Sequence, residues 1–204
     1  MSDLATAFPI NPGFVTASFK INTPSQVSET FSGKIRRVGL GISFYTWDIK
    51  YANLLPVDAG TITGFVSQTL GRQFSFEIIM PTISYSKAPN QTTSVPVVNG
   101  TKSIGSTTIT LSGCGTSKNV LAAGDFFKFS NHSKVYMCVS PCVSNSSGVA
   151  ILYFSCPLTT SVPSSSTVVI TAVPFTAILS EDVQSFEIGQ GGITNLSLSM
   201  REVW

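Results

Sequence analysis

Apolar and polar residues alternate with a period of two along much of this chain, the pattern of strands with one face buried. In Gly124 to Val139, Phe127 and Phe129 alternate with Phe126 and Lys128. Val135, Met137 and Val139 then alternate with Tyr136 and Cys138, and Ser130 to Ser133 form the polar connection of a hairpin. The same alternation marks Val38, Leu40 and Ile42, then Tyr45, Trp47, Ile49 and Tyr51, then Phe74, Phe76 and Ile78, and lastly Leu196, Leu198 and Met200. One stretch breaks the rule. After Pro56, residues Ile62, Phe65, Val66, Thr69 and Leu70 fall at helical spacing, with Asp58 placed to cap the start and Gly71 past the end. Gly60 and Gly64 each cost that helix about 1 kcal/mol in propensity, so packing against a sheet must hold it.

The first thirty or so residues carry Pro9, Pro12 and Pro24 among isolated apolar positions, which suits an extended arm or edge strands. Between Thr82 and Gly100 the chain turns to Ser, Thr, Asn and Pro, read as a linker into a second domain. Beyond it, short strands near 107–111, 126–129, 135–139, 149–154 and 167–173 predict a small closed barrel. Ser161 to Ser166 and Pro174 mark its exit, and residues 175–179 and 193–200 form two strands around a Gly189 to Gly192 turn. The expected fold is mainly β with one helix. Its expected domains are residues 1–89 with 175–204, and an inserted barrel over 90–174.

Of the 204 residues only 11% are charged, against roughly 25% in typical soluble domains. Mean hydropathy is +0.31, yet the longest strongly apolar run, Val149 to Phe154, falls far short of the ~20 residues a spanning helix needs. Few charges in a β-rich chain predict surface hidden against partner subunits. A net charge of +2 gives no general attraction to nucleic acid, and Lys34, Arg36 and Arg37 read as a solvated strand face. The Met1 to Ala5 start carries no secretory pattern, so folding in a reducing cytoplasm is expected. Cys114, Cys138, Cys142 and Cys156 would then be buried small hydrophobes or indifferent thiols, and Asn90 and Asn145 in Asn-x-Thr and Asn-x-Ser triplets chance matches.

Searching for chemistry yields no assigned catalytic, cofactor-binding or metal residue, and the expectation is a protein that is not an enzyme. Zinc lacks a Cys-x-x-Cys pair, and His132 is the single histidine. A nucleophilic triad would need His132 with Asp125 and Ser130 or Ser133, without the strand-to-helix elbow such a serine requires. Glu181 and Asp182 are adjacent and would point to opposite faces of a strand. The Gly189 to Gly192 run precedes no helix pattern and makes a poor phosphate cradle. The aromatic stripe from Tyr45 to Tyr51 reads as core before it reads as a sugar platform. Arg72 is expected on the surface, with Glu77 as one candidate partner.

Four segments together carry a family resemblance. They are Gly124-Asp125-Phe126-Phe127-Lys128 through His132 to Lys134-Val135-Tyr136; Gly33-Lys34 through Trp47 to Tyr51-Ala52-Asn53-Leu54-Leu55-Pro56; Gly71 to Pro81; and Asn195 to Glu202 with its Leu-Ser-Leu-Ser strand followed by Arg-Glu. In these the chain resembles the distal tail proteins of long-tailed bacteriophages. That resemblance implies a tail-tube-like β-sandwich with one helix and an inserted barrel of the oligonucleotide- and oligosaccharide-binding type. It further implies a homohexameric ring in the virion, joining tail tube to baseplate hub or tail tip, with tape-measure protein or DNA passing through the lumen. Assembly in the host bacterial cytoplasm, without membrane insertion, would follow. The alternatives are a tail-tube or other tail adaptor subunit, and a carbohydrate-binding module presenting Tyr136 and Tyr153 to host glycans.

Overall fold

A computed structural model describes residues 6–204; the Met1 to Ala5 start lies outside them. In chain order the elements are β1 (Thr6–Ala7), β2 (Thr16–Asn22), β3 (Ser25–Glu29), β4 (Ile35–Gly39), β5 (Phe44–Leu54), α1 (Pro56–Thr69), β6 (Phe76–Ile78) and β7 (Val97–Val98). There follow β8 (Thr108–Ser112), β9 (Asn119–Leu121), β10 (Phe126–Phe129), β11 (Val135–Cys138), β12 (Cys142–Val143), β13 (Ala150–Ser155) and β14 (Val168–Val169). The last are β15 (Phe175–Leu179), β16 (Phe186–Ile188) and β17 (Thr194–Glu202). The protein is mainly β with one α-helix among the described residues. It divides into two compact units.

The first unit takes Phe44–Ile78 and Thr176–Val203 together with the described residues up to Asn22. Its seven-stranded sheet runs β1-β6-β15-β17-β5-β2, with β16 pairing one end of β17. β5 and β17 are the long central strands, and their alternation places Tyr45, Trp47, Ile49 and Tyr51 on the same face as Leu196, Leu198 and Met200, all at most 5% exposed. Register aligns them into rows, because residues opposite one another across a ladder share a face. Phe19 lies opposite Trp47, Trp47 opposite Met200, and Met200 opposite Leu179, a row crossing four strands. The Phe19 ring stacks on Tyr45 and Trp47 at centroid distances of 5.4 and 6.1 Å. The aromatic stripe is therefore core.

The opposite face of this sheet is polar. Lys20 Nζ lies 2.6 Å from Asp48 Oδ2, and Ser199 Oγ donates to Asp48 Oδ1 at 2.6 Å, joining β2, β5 and β17 in one network. The Lys20 and Ser199 hydrogen bonds hold the Asp48 carboxyl below its ordinary range. Where β16 takes over from β15 beside β17, the β17–β5 ladder shifts register between Thr194 and Leu196. Asn53, in the left-handed region at φ 57°, donates its N–H to Asn195 Oδ1 at 3.0 Å there.

Helix α1 buries Ala59, Ile62, Phe65 and Thr69, and Phe65 meets the edges of Phe8 and Phe76 at 5.2 and 4.9 Å. Its termini differ from the sequence reading. Leu55 occupies the N-cap without a side-chain hydrogen bond and Pro56 opens the first turn, so Asp58 acts there through its charge at the positive end of the helix dipole. At the other end Leu70 takes the left-handed position at φ 47° and is 60% exposed, with Gly71 left-handed after it. Strand β6 begins at Phe76, leaving Phe74 half-buried in the preceding turn. The Gly189 to Gly192 region holds one more strand than expected, β16, followed by a short 3-10 turn over Gln190–Gly192.

The second unit comprises Thr23–Ser43, Ile79–Phe175 and Trp204. Six strands in the order β14-β10-β11-β13-β8-β7 form a nearly closed, barrel-like sheet. A bridge between Val97 and Thr167, backed by Val98 N–H to Ser166 O and Pro96 O from Val168 N–H at 2.9 Å each, brings the two end strands together. Phe127, Phe129, Tyr136, Leu152 and Phe154 fill the interior with Ile109, Leu111 and Val120. Within the β10–β11 hairpin the inward residues are Tyr136 and Cys138 opposite Phe127 and its neighbours, while Val139 is 51% exposed. The polar 82–100 stretch contributes β7 and a parallel bridge from Gln91 to Asn119, so it belongs to this unit's structure and is not only a connection.

Strands β3 and β4 pair only with each other, and every residue in both is exposed. The half-buried strand expected at Val38, Leu40 and Ile42 is thus corrected: they are 61%, 58% and 39% exposed, because no layer covers either face of this hairpin. Lys34, Arg36 and Arg37 are solvated, as their spacing suggested.

Leu198, 0% exposed between β15 and β5, gives the sheet a direct test. Leu198→Ala should cost about 2–5 kcal/mol of unfolding free energy in a urea titration. Loss below 1 kcal/mol would mean that the face assigned to β17 is wrong.

Candidate assembly surface

Asp125 and His132, groups weighed for catalysis from sequence, each have hydrogen-bond partners of their own. Asp125 is fully buried at the entry to the β10–β11 hairpin and its carboxylate accepts from Lys87 N–H at 3.0 Å, from Ala122 N–H at 2.8 Å and from the Ser86 hydroxyl. It pins the 86–87 stretch and a tight turn, a structural use of a charge whose lone pairs are satisfied by donors. His132 sits in a closed chain of hydrogen bonds. Asn131 Nδ2 donates to Ser161 O at 2.9 Å, which turns its Oδ1 toward His132 Nδ1 at 3.0 Å. The histidine proton therefore resides on Nδ1, and Nε2 accepts from the Tyr136 hydroxyl at 2.9 Å. Tyr136 in turn accepts from Thr159 N–H at 3.2 Å. Burial, then Lys128 and Lys134, lower the His132 pKa to about 4, keeping the ring neutral near pH 7. Neither Ser130 nor Ser133 enters these bonds, so the triad considered from sequence is not brought together.

The two acids of the 181–182 pair also separate. Asp182 is exposed and accepts from Arg72 Nε at 3.1 Å and Nη2 at 2.8 Å, a bidentate pair in place of the Arg72–Glu77 contact considered from sequence. Arg72 lowers the Asp182 pKa by hydrogen bonding first. Gly71 lies so close to Asp182 that an added Cβ would sit 2.9 Å from its Oδ1, which explains a glycine at this junction.

Cys114, Cys138 and Cys142 are free and buried in the barrel core, whereas Cys156 is half-buried and its sulfur accepts from Ser43 N–H at 3.4 Å. Burial raises Cys138 to about 11 and Cys142 to about 12, and pushes Cys114 up as well. Such thiols stay protonated and unreactive at neutral pH. Among the described residues no group of three or more His, Cys, Asp or Glu side chains is placed to hold a metal ion. Of the two tyrosines offered for glycan binding, Tyr153 is 47% exposed but Tyr136 is wholly buried, so the pair does not form a surface platform.

A cleft of about 680 Å³ in the second unit lies between residues 91–95 and 167–171. Its walls carry Gln, Thr, Ser, Val and Ile, with no ionisable and no aromatic side chain, so it supplies neither proton transfer nor ring stacking. No helix is long and apolar enough to cross a membrane among the described residues.

What the molecule does expose is apolar surface and unpaired strand edge. The β3–β4 hairpin presents Val27, Phe31, Ile35, Val38 and Leu40, each at least 58% exposed. Among the described residues of the first unit, β16 pairs only with β17 and β2 only with β5, and Ile188 is 75% exposed. A groove of about 390 Å³ runs between α1 and β16, with Ala59, Phe186 and Ile188 among its walls. Exposed edges and a hydrophobic two-stranded ribbon are sites where another chain adds. A scan against protein-family models finds no match for this chain, and a search of curated proteins finds none either.

Thiol chemistry checks the barrel core. With a neutral-pH maleimide, native protein should label at Cys156 alone and label at four positions once unfolded. Rapid native labelling of Cys138 or Cys142 would contradict the burial described.

Proposed function

We propose that this chain is a structural protein of the bacteriophage virion, forming a ring at the distal end of a long tail and joining the tail tube to the baseplate hub or tail tip. The observation that carries the reading is an exposed hairpin presenting Val27, Phe31, Ile35, Val38 and Leu40 together with open edges at β16 and β2. A soluble monomer ordinarily blunts such edges, and subunits that build closed rings keep them for their neighbours. The 11% charge content fits the same use, since surface covered by a neighbour has no need of charge.

Support also comes from where the resembling segments fall. Gly124 to Tyr136 takes in β10 and the first two residues of β11, Asn195 to Glu202 spans nearly all of β17, and residues 33–56 run from β4 through β5 to the first residue of α1. On this reading the first unit is the tail-tube-like, ring-forming part, its helix-backed sheet one layer of a sandwich. The barrel is of the oligonucleotide- and oligosaccharide-binding type, and six copies close the ring. Its partners are the tail-tube protein above, the hub or tip protein below, and tape-measure protein or DNA within the lumen. The role is assembly, without catalysis or cofactor.

The runner-up is a tube or adaptor subunit, because the same open edges would serve a stack of rings. Gold labelling of purified virions with an antibody to this chain separates the two. A single cluster at the far end of the tail is expected. Label along the whole tail would make it a tube subunit, and unlabelled particles would remove the virion reading.

A further inference from the structure

Resting on that self-assembly reading, we propose which surfaces meet: the β3–β4 hairpin of one copy adds beside β16 of a second copy, with Ile35 toward the groove between α1 and β16 and Arg36 toward Glu187. Three observations converge on this pairing. First, the hairpin's register sets Val27 opposite Arg37 and Glu29 opposite Ile35, so one face carries Val27 and Ile35 together with Arg37 and Glu29, and the other carries Arg36 and Val38 with Gln26 and Ser28.

Second, β16 is divided in a matching way. Phe186 and Ile188 line the groove with Pro56, Ala59, Gly60 and Thr63, while Glu187 lies on the opposite side with Asn195 and Ser197. An incoming β4 strand that turns Ile35 toward the groove therefore sets Arg36 on the Glu187 side. Lys50 is also on the Glu187 side, but it belongs to β5, two strands inward from β16 and so about 10 Å away from it at ordinary strand spacing. Glu187 is the charge nearest to the newcomer.

Third, charge and space agree. The hairpin segment 23–43 carries Lys34, Arg36 and Arg37 against Glu29, whereas 180–193 carries Glu181, Asp182 and Glu187 and no basic residue. Asp182 is already paired with Arg72, leaving Glu181 and Glu187 to meet the basic hairpin. Gly60 and Gly64 on α1 have nothing within 4 Å of the position an added Cβ would take. Gly60 borders the groove, so a neighbouring strand can approach the helix backbone there. Among the described residues nothing packs within 4 Å of that point of the helix, where glycine lowers helix propensity. The contact is heterologous, since hairpin and edge are different patches, and repeated around an axis it closes a ring.

The test places p-benzoylphenylalanine at Ile35 in the full chain and maps the photoproducts by mass spectrometry. Links joining two chains between Ile35 and residues 56–63 or 186–188 are expected. In the same assay Arg36→Glu should lower two-chain product about fivefold, and adding Glu187→Arg should restore it, the size set by one exposed charge pair. Mixing isotopically light and heavy chains separates links between copies from links within one, and exclusively internal links overturn the proposal. Two-chain links that fall on β2 or on the barrel overturn this contact while leaving the ring reading standing. Absence of any two-chain product removes both.

Discussion

Everything in the first unit hangs on the ladder between β5 and β17. It pairs Trp47 with Met200 and Ile49 with Leu198, residues about 150 positions apart, and it supplies the centre of the sheet against which β2, β15 and β16 are set. A contact of that sequence separation must overcome the entropy of closing a long loop. Two backbone bonds shorten the loop within the second unit. Val173 N–H donates to Ser84 O at 2.9 Å, bringing together the residues where the chain enters and leaves the barrel segment. Leu40 N–H donates to Pro24 O at 3.2 Å at the root of the hairpin. Each excursion from the sheet thus begins and ends at nearly one place, and loop closure grows only logarithmically in the residues between.

The central strands were legible in the sequence because burial on one face writes a period of two into it. Tyr45, Trp47, Ile49 and Tyr51, and Leu196, Leu198 and Met200, are core as their alternation implied. The same signal misled at Val38, Leu40 and Ile42, where alternation is present but no covering layer is, since periodicity records a strand and not what lies against it. Short strands escaped for a different reason. β7, β9, β12 and β16 have two or three residues each, too few to show a period. The helix was readable from its spacing and Gly71 is left-handed past its end as expected, but Leu55 rather than Asp58 holds the N-cap and Leu70 is left-handed as well.

No catalytic assignment came from the sequence, and the hydrogen bonds of His132 and Asp125 and the packing of the buried cysteines were not legible there, because partners such as Lys87 for Asp125 are remote in sequence. The surface that matters was partly visible. Low charge content pointed to hidden surface, and Lys34, Arg36 and Arg37 were read as solvated. What composition could not supply is the side-to-side sorting of Ile35 from Arg36 and of Ile188 from Glu187, which needs register.

On the proposed reading, in which the exposed ribbon and open edges meet copies of the same chain, the protein should be an oligomer whenever it is concentrated enough. Sedimentation equilibrium of the purified chain measures this directly. The account predicts a species of six times the 21.7 kDa chain mass, giving way to smaller species on dilution. A single 21.7 kDa species at every concentration up to the millimolar range would contradict it.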